Sequence, residues 1–341
     1  MTSPGAGAEA HRLAGRLANL RRRGRALQLV RDFFARRDFL EIEAPLLVPS
    51  PGVELHLDAF AVPDAFAGAT RYLITSPEYQ LKRLLAAGLD RIYSLGKCFR
   101  RGELGPHHNP EFTMVEWYRA PGGWEEIATD VEALVVEVLV GLTDGEVPRY
   151  RGQPLELGRP FRRLSVREAM ARFAGVTVEG DEPAAVLAER GRAAGHRLPP
   201  TLTAWDDVFF TLFLDAVEPH LGEAPTVLFD WPAPLASLAR LSPSDPRVAE
   251  RFEVYVAGVE LANGFGELLD PLAQRRRCEA ERGERGRRGL PVYPLDERFL
   301  DALADVAAPA AGVALGLDRL ILLACDAPSL REVLPFAADE L

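Results

Sequence analysis

Apolar residues recur along the chain with helical spacing in several segments. The first is residues 24–37, where Leu27, Val30, Phe33 and Phe34 lie three, three and one positions apart and form one apolar face. A second helix is predicted to begin at Pro77, with Ser76 as its N-cap, and to end at Gly88. Further helices are predicted at 124–142, 166–173, 205–217 and 268–288, and after the glycines of 312–326.

Short alternating or apolar runs predict strands between these helices. They occupy residues 39–48, 54–62, 71–75, 90–100, 112–119, 226–232 and 251–265. The apolar pattern resumes after every loop. We therefore predict an α+β fold, an antiparallel sheet flanked by helices, as a single domain over residues 24–341. It carries a helical insertion around 145–220, and residues 1–23 are predicted to be a flexible N-terminal arm.

The composition narrows the class of protein. The chain has 341 residues and a formal net charge of −10, which argues against non-specific nucleic-acid binding. Its three cysteines are far apart, which is typical of reduced thiols rather than a disulfide framework. No apolar run is long enough to span a membrane, and the N-terminus lacks the apolar core of a secretory signal. A cytoplasmic protein without membrane contact is expected.

The common nucleotide and zinc-protease motifs are missing. The chain has no GxxxxGK[ST] and no HExxH, and GAGAEA at residues 5–10 follows no strand. The remaining candidates for a functional site are polar residues inside apolar segments. In TSPEY, Ser76 and Glu78 flank Pro77 at a strand-to-helix junction. Taken alone, that segment is better explained by a simple helix N-cap with an acidic first turn.

Two arginines and two histidines lie close together at residues 100–118 of this acidic chain, in the sequence RRGELGPHHNPEFTMVEWY. Arg100 offers a planar fork for phosphate oxygens, His108 adds a second donor, and Phe112 can stack on a purine. A solvated hairpin is the alternative. It explains the alternation of charged residues but not the histidines that run directly into Pro110 and Phe112.

Two later segments repeat this pattern. Glu253, Glu260 and Glu267 are spaced by seven, which on one helix would make an acidic face. The β-branched and aromatic residues around them favour strands that bring carboxylates together across a bend, a set that suits Mg²⁺. In GVALGLDRL, small residues precede Arg319, which is able to reach a terminal phosphate. The alternative there is a glycine hinge before a core helix.

These segments, in this order, resemble class II aminoacyl-tRNA synthetases of the lysyl type. FLEIEAP resembles motif 1, CFRRGELGPHHNPEFTMVEWY resembles motif 2, and GVALGLDRL resembles motif 3. ERFEVYVAGVELANGFGEL is similar to the metal and lysine segment of the lysyl enzymes. The resemblance covers residues 25–336 and implies the class II catalytic fold, with a homodimer formed through motif 1.

Motif 1 begins near residue 39, so we expect no anticodon-binding barrel and no contact with a tRNA anticodon. TSPEY, HNPEFT and ELANGF make the chain similar to the free-standing lysyl-type ligases that modify elongation factor P. The resemblance implies that ATP activates (R)-β-lysine as an acyl-adenylate, which a lysine of elongation factor P then accepts. Ala314 stands where true lysyl synthetases usually have glycine, and its methyl group is expected to alter which lysine isomer fits.

The resemblance also implies roles for individual residues. Arg100 and Arg319 are the expected catalytic residues, at the α- and γ-phosphates of ATP. The other expected ATP contacts are Arg101, Gly102, Glu103, His108, Asn109, Phe112, Glu260, Leu261 and Gly316. Glu253 and Glu260 are expected to hold Mg²⁺. The expected amino-acid contacts are Ser76, Pro77, Glu78, Tyr118, Glu267 and Ala314.

One position departs from the synthetase pattern. Motif 2 of that family begins Arg-x-Glu, whereas here the third residue is Gly102 and the acid follows at Glu103. Either Glu103 serves in its place or selectivity for ATP is reduced. Two alternative functions remain: a truncated synthetase that activates α-lysine for tRNA or a small molecule, and a catalytically silent regulatory paralogue, which Gly102 alone supports.

The arginine-rich segment 275–288 also allows two interpretations. Arg275–Arg277 and Arg282–Arg288 either face an acidic patch on the partner protein or form a solvated helix face. The solvated face is the interpretation we favour from the sequence.

Overall fold

The computed structural model describes residues 6–143 and 145–341, with side chains from residue 9 onward. The α-helices are α1 Ala6–Ala35, α2 Glu78–Ala86, α3 Trp124–Gly141, α4 Val166–Ala169, α5 Ala184–Ala193, α6 Trp205–Leu212, α7 Pro271–Arg287, α8 Glu297–Ala302 and α9 Leu317–Ala324. The strands are β1 Leu40–Glu41, β2 Leu47–Val48, β3 Ala61–Phe66, β4 Ala69–Leu73, β5 Arg91–Phe99, β6 Glu111–Arg119, β7 Arg149–Tyr150, β8 Gln153–Pro154, β9 Arg162–Ser165, β10 Thr226–Pro232, β11 Val248–Val256, β12 Val259–Gly266 and β13 Ala311–Gly316.

An eight-stranded sheet organises the chain, in the order β1-β5-β6-β13-β12-β11-β10-β9. Its six central strands pair antiparallel, while β1 pairs parallel with β5 and β9 pairs parallel with β10. The predicted α+β fold is confirmed, and the parallel outer pairs make the sheet mixed. Strands from before and after the insertion therefore share one sheet.

The main apolar core lies where α1, α3 and α9 pack against this sheet. Phe33, Phe34 and Trp117 are fully buried there, and Phe34 stacks on Tyr93 with ring centroids 4.3 Å apart. Burying each such side chain contributes about 2 kcal/mol relative to leaving it in water. This packing covers one face of the sheet. The candidate site residues described below lie on the opposite face.

The first helix is longer than its sequence pattern indicates. It begins at Ala6 rather than near residue 24, so the prediction of a flexible arm is wrong for residues 6–23; residues 1–5 lie outside the described part. Ion pairs hold this extension to the rest of the chain. Arg16 binds both carboxylate oxygens of Glu340, and Arg23 Nη1 lies 2.6 Å from Asp318 Oδ1.

Three further segments differ from the predicted elements. Residues 39–48 form two short strands, β1 and β2, instead of one, and β3 begins at Ala61 rather than at residue 54. The insertion contains α5, which the sequence pattern did not indicate. It also contributes β9 to the main sheet and builds its own apolar cluster around Phe209 and Trp231.

Helix α7 and the residue after it expose Arg276, Arg287 and Arg288, as the solvated face favoured from the sequence requires, but Arg285 is an exception. Arg285 has a fully buried side chain, and its Nη1 donates hydrogen bonds to the backbone oxygens of Glu54, Leu55 and Leu57 at 2.8, 2.9 and 3.0 Å. Its Nη2 lies 2.5 Å from Asp58 Oδ1. Arg285 thus fixes the conformation of segment 54–58.

Among the described residues, no helix combines the length and the apolar character needed to cross a membrane.

Replacing Arg285 should destabilise the protein strongly. Arg285→Met leaves Oδ1 of Asp58 and four backbone carbonyl groups without this donor, so we expect the free energy of unfolding to fall by about 3–5 kcal/mol. Arg287→Met is the matched control, because Arg287 lies on the same helix with its side chain 71% exposed. It should change stability by less than about 0.5 kcal/mol. Urea unfolding measures both, and equal effects would contradict the prediction.

Candidate active site

The hairpin of β5 and β6 carries most of the motif 2 residues. Phe112, Met114, Glu116 and Tyr118 alternate along β6, so their side chains share one face. Strand β13 lies beside β6 in a register that sets Gly312 opposite Tyr118, Ala314 opposite Glu116 and Gly316 opposite Met114. Motifs 2 and 3, about two hundred residues apart in sequence, therefore form one surface.

A cavity of about 210 Å³, here called the arginine cavity, lies at the Phe112 end of this surface. Its lining residues are Arg100, Glu103, His107, His108, Asn109, Phe112, Thr113, Met114, Glu260, Leu261, Ala262, Asn263, Ala314, Gly316, Asp318, Arg319 and Leu330. Most of the expected ATP contacts are therefore brought together. Arg101 and Gly102 are not among the lining residues, and the side chain of Arg101 lies 3.3 Å from Asp58 instead.

Arg319 is held at this cavity by three partners. Its Nη1 donates to the backbone oxygen of Glu260 at 2.9 Å, its Nε to the oxygen of His107 at 3.1 Å, and its Nη2 lies 2.6 Å from His108 Nε2. Burial and the charge of Arg319 both lower the pKa of His108. A neutral His108 that accepts from Arg319 through Nε2 is the protonation state these contacts favour.

Arg100 is the less constrained arginine of the cavity. Its guanidinium carbon lies 5.1 Å from the Phe112 ring centroid, and its Nη1 lies 3.7 Å from Glu103 Oε1. Its Nε is buried and makes no hydrogen bond to any described residue. A buried donor without a partner is costly, so this nitrogen favours a ligand oxygen.

Asn109 is 6% exposed, and both ends of its amide bind backbone groups. Nδ2 donates to the oxygen of Glu111 at 2.6 Å, and Oδ1 accepts from the nitrogen of Ala338 at 2.9 Å. These contacts tie the motif 2 loop to the C-terminal segment. A direct contact of Asn109 with a triphosphate stays a prediction.

The structure gives a physical reason for Gly102. Its φ is +86°, a left-handed conformation that disfavours other residues, although a Cβ there would meet no atom within 4 Å. The turn therefore favours glycine over the expected glutamate through backbone conformation alone. Glu103 lines the arginine cavity next to Arg100, in a position to act in place of the missing acid.

Glu253 and Glu260 lie on neighbouring strands of the β11–β12 hairpin, as the bend between them predicted. Burial, followed by the charge of Glu260, raises the pKa of Glu253 to about 7. Arg251 and Tyr255 donate to its two oxygens, each at 2.7 Å. Among the described residues, no group of three or more His, Cys, Asp or Glu could hold a metal ion. A mutually repelling carboxylate pair fits Mg²⁺ that takes its other ligands from phosphate and water.

A second set of residues, here called the acidic pocket, lies at the Tyr118 end of β6. Glu116 is 2% exposed and accepts from Ser76 Oγ at 2.6 Å and Tyr118 Oη at 2.7 Å. Burial and the charge of Glu78 raise its pKa to about 8. Glu116 was not among the residues selected from the sequence. Glu116 alternates along β6 with Phe112 and Tyr118, and this spacing could have indicated that its side chain lies on the same face.

Lys82 is the second residue that the sequence did not reveal. Its side chain is 1% exposed, and Nζ lies 2.5 Å from both Glu78 Oε1 and Glu267 Oε2. Burial raises the pKa of Glu267 to about 7, although the charge of Lys82 lowers it. Position 312 requires glycine here, because a Cβ would lie 2.1 Å from the Tyr118 ring.

Ser76 and Pro77 position the start of α2 against this pocket. Ser76 Oγ accepts from the nitrogen of Glu78 at 3.0 Å and donates to Glu116. The N-cap residue of α2 is Pro77, so the prediction of Ser76 as the N-cap is wrong by one residue. Ala314 pairs in register with Glu116, between the acidic pocket and the arginine cavity. The two sites therefore form one continuous surface along β6 and β13.

A largely antiparallel sheet with arginines from motifs 2 and 3 and a terminal acidic pocket defines a class II synthetase catalytic domain. The family model for class II tRNA synthetases (D, K and N) matches residues 11–340. The elongation factor P–(R)-β-lysine ligase of Proteus mirabilis (strain HI4320) is 41% identical over 330 residues, covering 94% of this chain and 95% of the relative. The ligase of the same name from Salmonella dublin is 39% identical over 328 residues, 95% of this chain and 96% of the relative. The chain belongs to the class II tRNA synthetase family and groups within it with these ligases.

The stability of the ligand-free protein should fall as the pH rises from 5 to 8. The pKa of a glutamate carboxyl group is ordinarily 4.5, whereas the pKa of Glu116 in the folded protein is about 8. Over that interval the folded protein keeps a proton that the unfolded chain has lost, which costs up to about 1.4 kcal/mol per pH unit. Thermal unfolding across this pH range measures the effect, to which Glu267, with a pKa of about 7, adds in the same direction.

Glu116→Gln should make this pH dependence shallower, because glutamine does not titrate, and should leave the part that comes from Glu267. Glu279→Gln, at an exposed position of α7, should leave the slope unchanged. If the slope in Glu116→Gln is as steep as in the unmodified protein, this carboxyl group does not hold the extra proton.

Proposed function

We propose that this protein is an ATP-dependent ligase that activates (R)-β-lysine as an acyl-adenylate and transfers it to a lysine of elongation factor P. The observation that carries the proposal is the charge of the acidic pocket. When Glu78, Glu116 and Glu267 are ionised, Lys82 offsets one charge, and two negative charges remain for the two ammonium groups of the substrate. The names of the relatives support the same reaction.

The first step forms the adenylate. The carboxylate of (R)-β-lysine attacks the α-phosphorus of ATP in line, the bond from that phosphorus to the bridging oxygen breaks, and pyrophosphate leaves. Arg100, with its unpaired Nε, binds oxygens of the α-phosphate, and Arg319 binds the γ-phosphate. Phe112 stacks on adenine, and Gly316 and Leu261 let the backbone approach the nucleotide.

Glu253 and Glu260 would hold Mg²⁺ together with phosphate oxygens. The ion supplies positive charge that neutralises the triphosphate. Arg251 and Tyr255 orient the Glu253 carboxylate, so this ligand is positioned before any ion binds.

The second step transfers the acyl group. The amine of the acceptor lysine attacks the activated carbonyl carbon, a C–N bond forms, and AMP leaves with the oxygen of the broken C–O bond. The ammonium groups of (R)-β-lysine stay in the acidic pocket, with Glu78 near its carboxylate end and Tyr118 and Glu267 at its far end. Ala314, between the two sites, favours the β-isomer by steric contact.

The alternatives from the sequence are less well supported. A truncated synthetase acting on α-lysine and a silent paralogue both lack support from the relatives, whose names specify the ligation of (R)-β-lysine.

A homodimer through motif 1 remains part of the proposal. Leu40, Leu46 and Leu47 are 51%, 43% and 43% exposed, an apolar surface suited to a second copy. The cytoplasmic location stays a prediction.

Isotope exchange between pyrophosphate and ATP tests the first step. Exchange should depend on (R)-β-lysine and be weaker with α-lysine, and the mass of elongation factor P should then rise by one β-lysyl group. Arg319→Lys should lower exchange about 100-fold, because lysine cannot reproduce the planar fork. The control is Arg36→Lys, an exposed arginine paired with Glu137.

The possible results separate the three hypotheses. No exchange with any amino acid would favour the silent paralogue. Exchange with α-lysine alone, without a mass change on elongation factor P, would favour the truncated synthetase.

Glu103 should be needed for selection of ATP if it replaces the acid missing at Gly102. Glu103→Ala should raise the KM for ATP about tenfold, since one hydrogen bond to the base is lost. The same change should leave the KM for (R)-β-lysine unaltered. Steady-state exchange kinetics measure both constants, and unchanged kinetics would show that Glu103 has no such role.

A further inference from the structure

A second cavity of about 210 Å³ lies beside the start of α2 and is not part of the sites described above. It is formed by α2, α7 and residues 233–238, and we call it the Glu54 cavity. Glu54, Gln274 and Glu281 are the polar groups that matter in its lining. Ala280 also lines it and is exposed, so the cavity reaches the surface of α7.

Two acceptor atoms of this cavity lack a hydrogen-bond partner among the described residues. Gln274 is 1% exposed, and its Oε1 makes no hydrogen bond to any described residue; neither does Glu281 Oε2, which is buried as well. Glu54 has no ion-pair partner among the described residues. The one lining arginine, Arg277, directs Nη1 at the backbone oxygens of Ser237 and Ala239. A ligand that satisfies this cavity must donate N–H groups and carry positive charge, as a primary ammonium does.

The Glu54 cavity adjoins the candidate active site. Tyr79, which lines it, directly follows Glu78 of the acidic pocket. The segment that bears Glu54 is also bonded to motif 2, because the nitrogen of Arg101 donates to the oxygen of Asp58 at 2.7 Å. The charges of Glu78 and Arg100 both act on the Glu54 carboxyl group. An ammonium in this cavity would therefore lie next to helix α2, which carries Glu78, and next to the segment that is bonded to motif 2.

We propose that the Glu54 cavity receives the side chain of the acceptor lysine of the protein substrate, and that Glu54 takes a proton from its ammonium. The inference rests on the proposed function, because it assigns a group to its second step. The ammonium gives one proton to the Glu54 carboxylate and becomes a neutral amine. That amine forms the C–N bond, the C–O bond to phosphate breaks, AMP leaves, and the second nitrogen proton goes to solvent.

The surroundings of Glu54 suit a base at neutral pH. Burial raises its pKa to about 7, and the charges of Glu78 from α2 and Glu281 from α7 raise it further, whereas Arg100 beyond β5 lowers it. Tyr79 also faces it, and its own pKa is raised well above the ordinary value by burial. A base whose pKa lies near the working pH combines an ionised fraction with proton affinity.

The test measures the two steps separately. Pyrophosphate exchange reports adenylate formation, and rapid-quench transfer from the enzyme-bound adenylate to elongation factor P reports the second step. Glu54→Gln should lower the transfer rate about 100-fold, while exchange falls much less. In the unmodified enzyme the transfer rate should rise with pH and level off above about 7. That inflection should vanish in Glu54→Gln and return in Glu54→Asp.

Hydroxylamine separates a base from a merely structural residue. It is largely unprotonated at neutral pH, so Glu54→Gln should form the hydroxamate from the adenylate as fast as the unmodified enzyme. Ala280→Leu narrows the cavity at an exposed position and should weaken transfer to elongation factor P without changing exchange. The matched control on α7 is Glu279→Gln, which should change neither step.

Three results would overturn the inference. Transfer that is unchanged in Glu54→Gln, with normal exchange, would reject it alone and leave the proposed function standing. An equal loss of exchange, hydroxamate formation and transfer would show that Glu54 supports the structure only. Absence of exchange in the unmodified enzyme would instead reject the proposed function, and this inference with it.

Discussion

The buried ammonium of Lys82 is the interaction around which the acidic pocket is built. It lies 2.5 Å from carboxylate oxygens of both Glu78 and Glu267, two residues brought together from α2 and the end of β12. Without it, burial of these carboxylates next to each other would be very unfavourable. Lys82 makes no salt bridge with Glu116, and burial raises the pKa of that third carboxyl group to about 8. The free pocket therefore holds a proton at neutral pH, and a dicationic ligand replaces that proton with its own charge.

The sheet sets the distance between the acidic pocket and the arginine cavity. Phe112 and Tyr118 lie on the same face of β6, six residues apart, which corresponds to about 20 Å along a strand. An aminoacyl-adenylate extended along β6 would place its base at one end and its ammonium groups at the other. Gly312 on β13 permits this, because any side chain there would overlap the Tyr118 ring. One strand and its neighbour thus set the length and the orientation of the ligand.

Much of the fold followed from local pattern, whereas the decisive contacts of the site did not. The strands of the β5–β6 hairpin and the helices α2 and α3 have strong periodicity, and their positions were predicted closely. Helix α1 was predicted too short because its first half is rich in alanine and arginine, and the helical spacing of Leu13, Leu17 and Leu20 was not used. Lys82 resembles an ordinary surface lysine in an amphipathic helix, and only the pairing with Glu267, distant in sequence, explains its burial. Arg285 likewise resembles its neighbours in an arginine-rich helix, and only its pairing with Asp58, distant in sequence, explains its burial.

Arg285 also connects sites that have separate tasks. It fixes the backbone of segment 54–58, and the last residue of that segment, Asp58, accepts a hydrogen bond from Arg101 of motif 2. The same short segment therefore bears Glu54 and contacts the loop that carries Arg100. Because a fully buried guanidinium with five acceptors leaves the segment little freedom, segment 54–58 is held in a fixed position relative to helix α7. In the proposed second step, this rigidity would allow the acceptor amine to meet the carbonyl without a large movement of the chain.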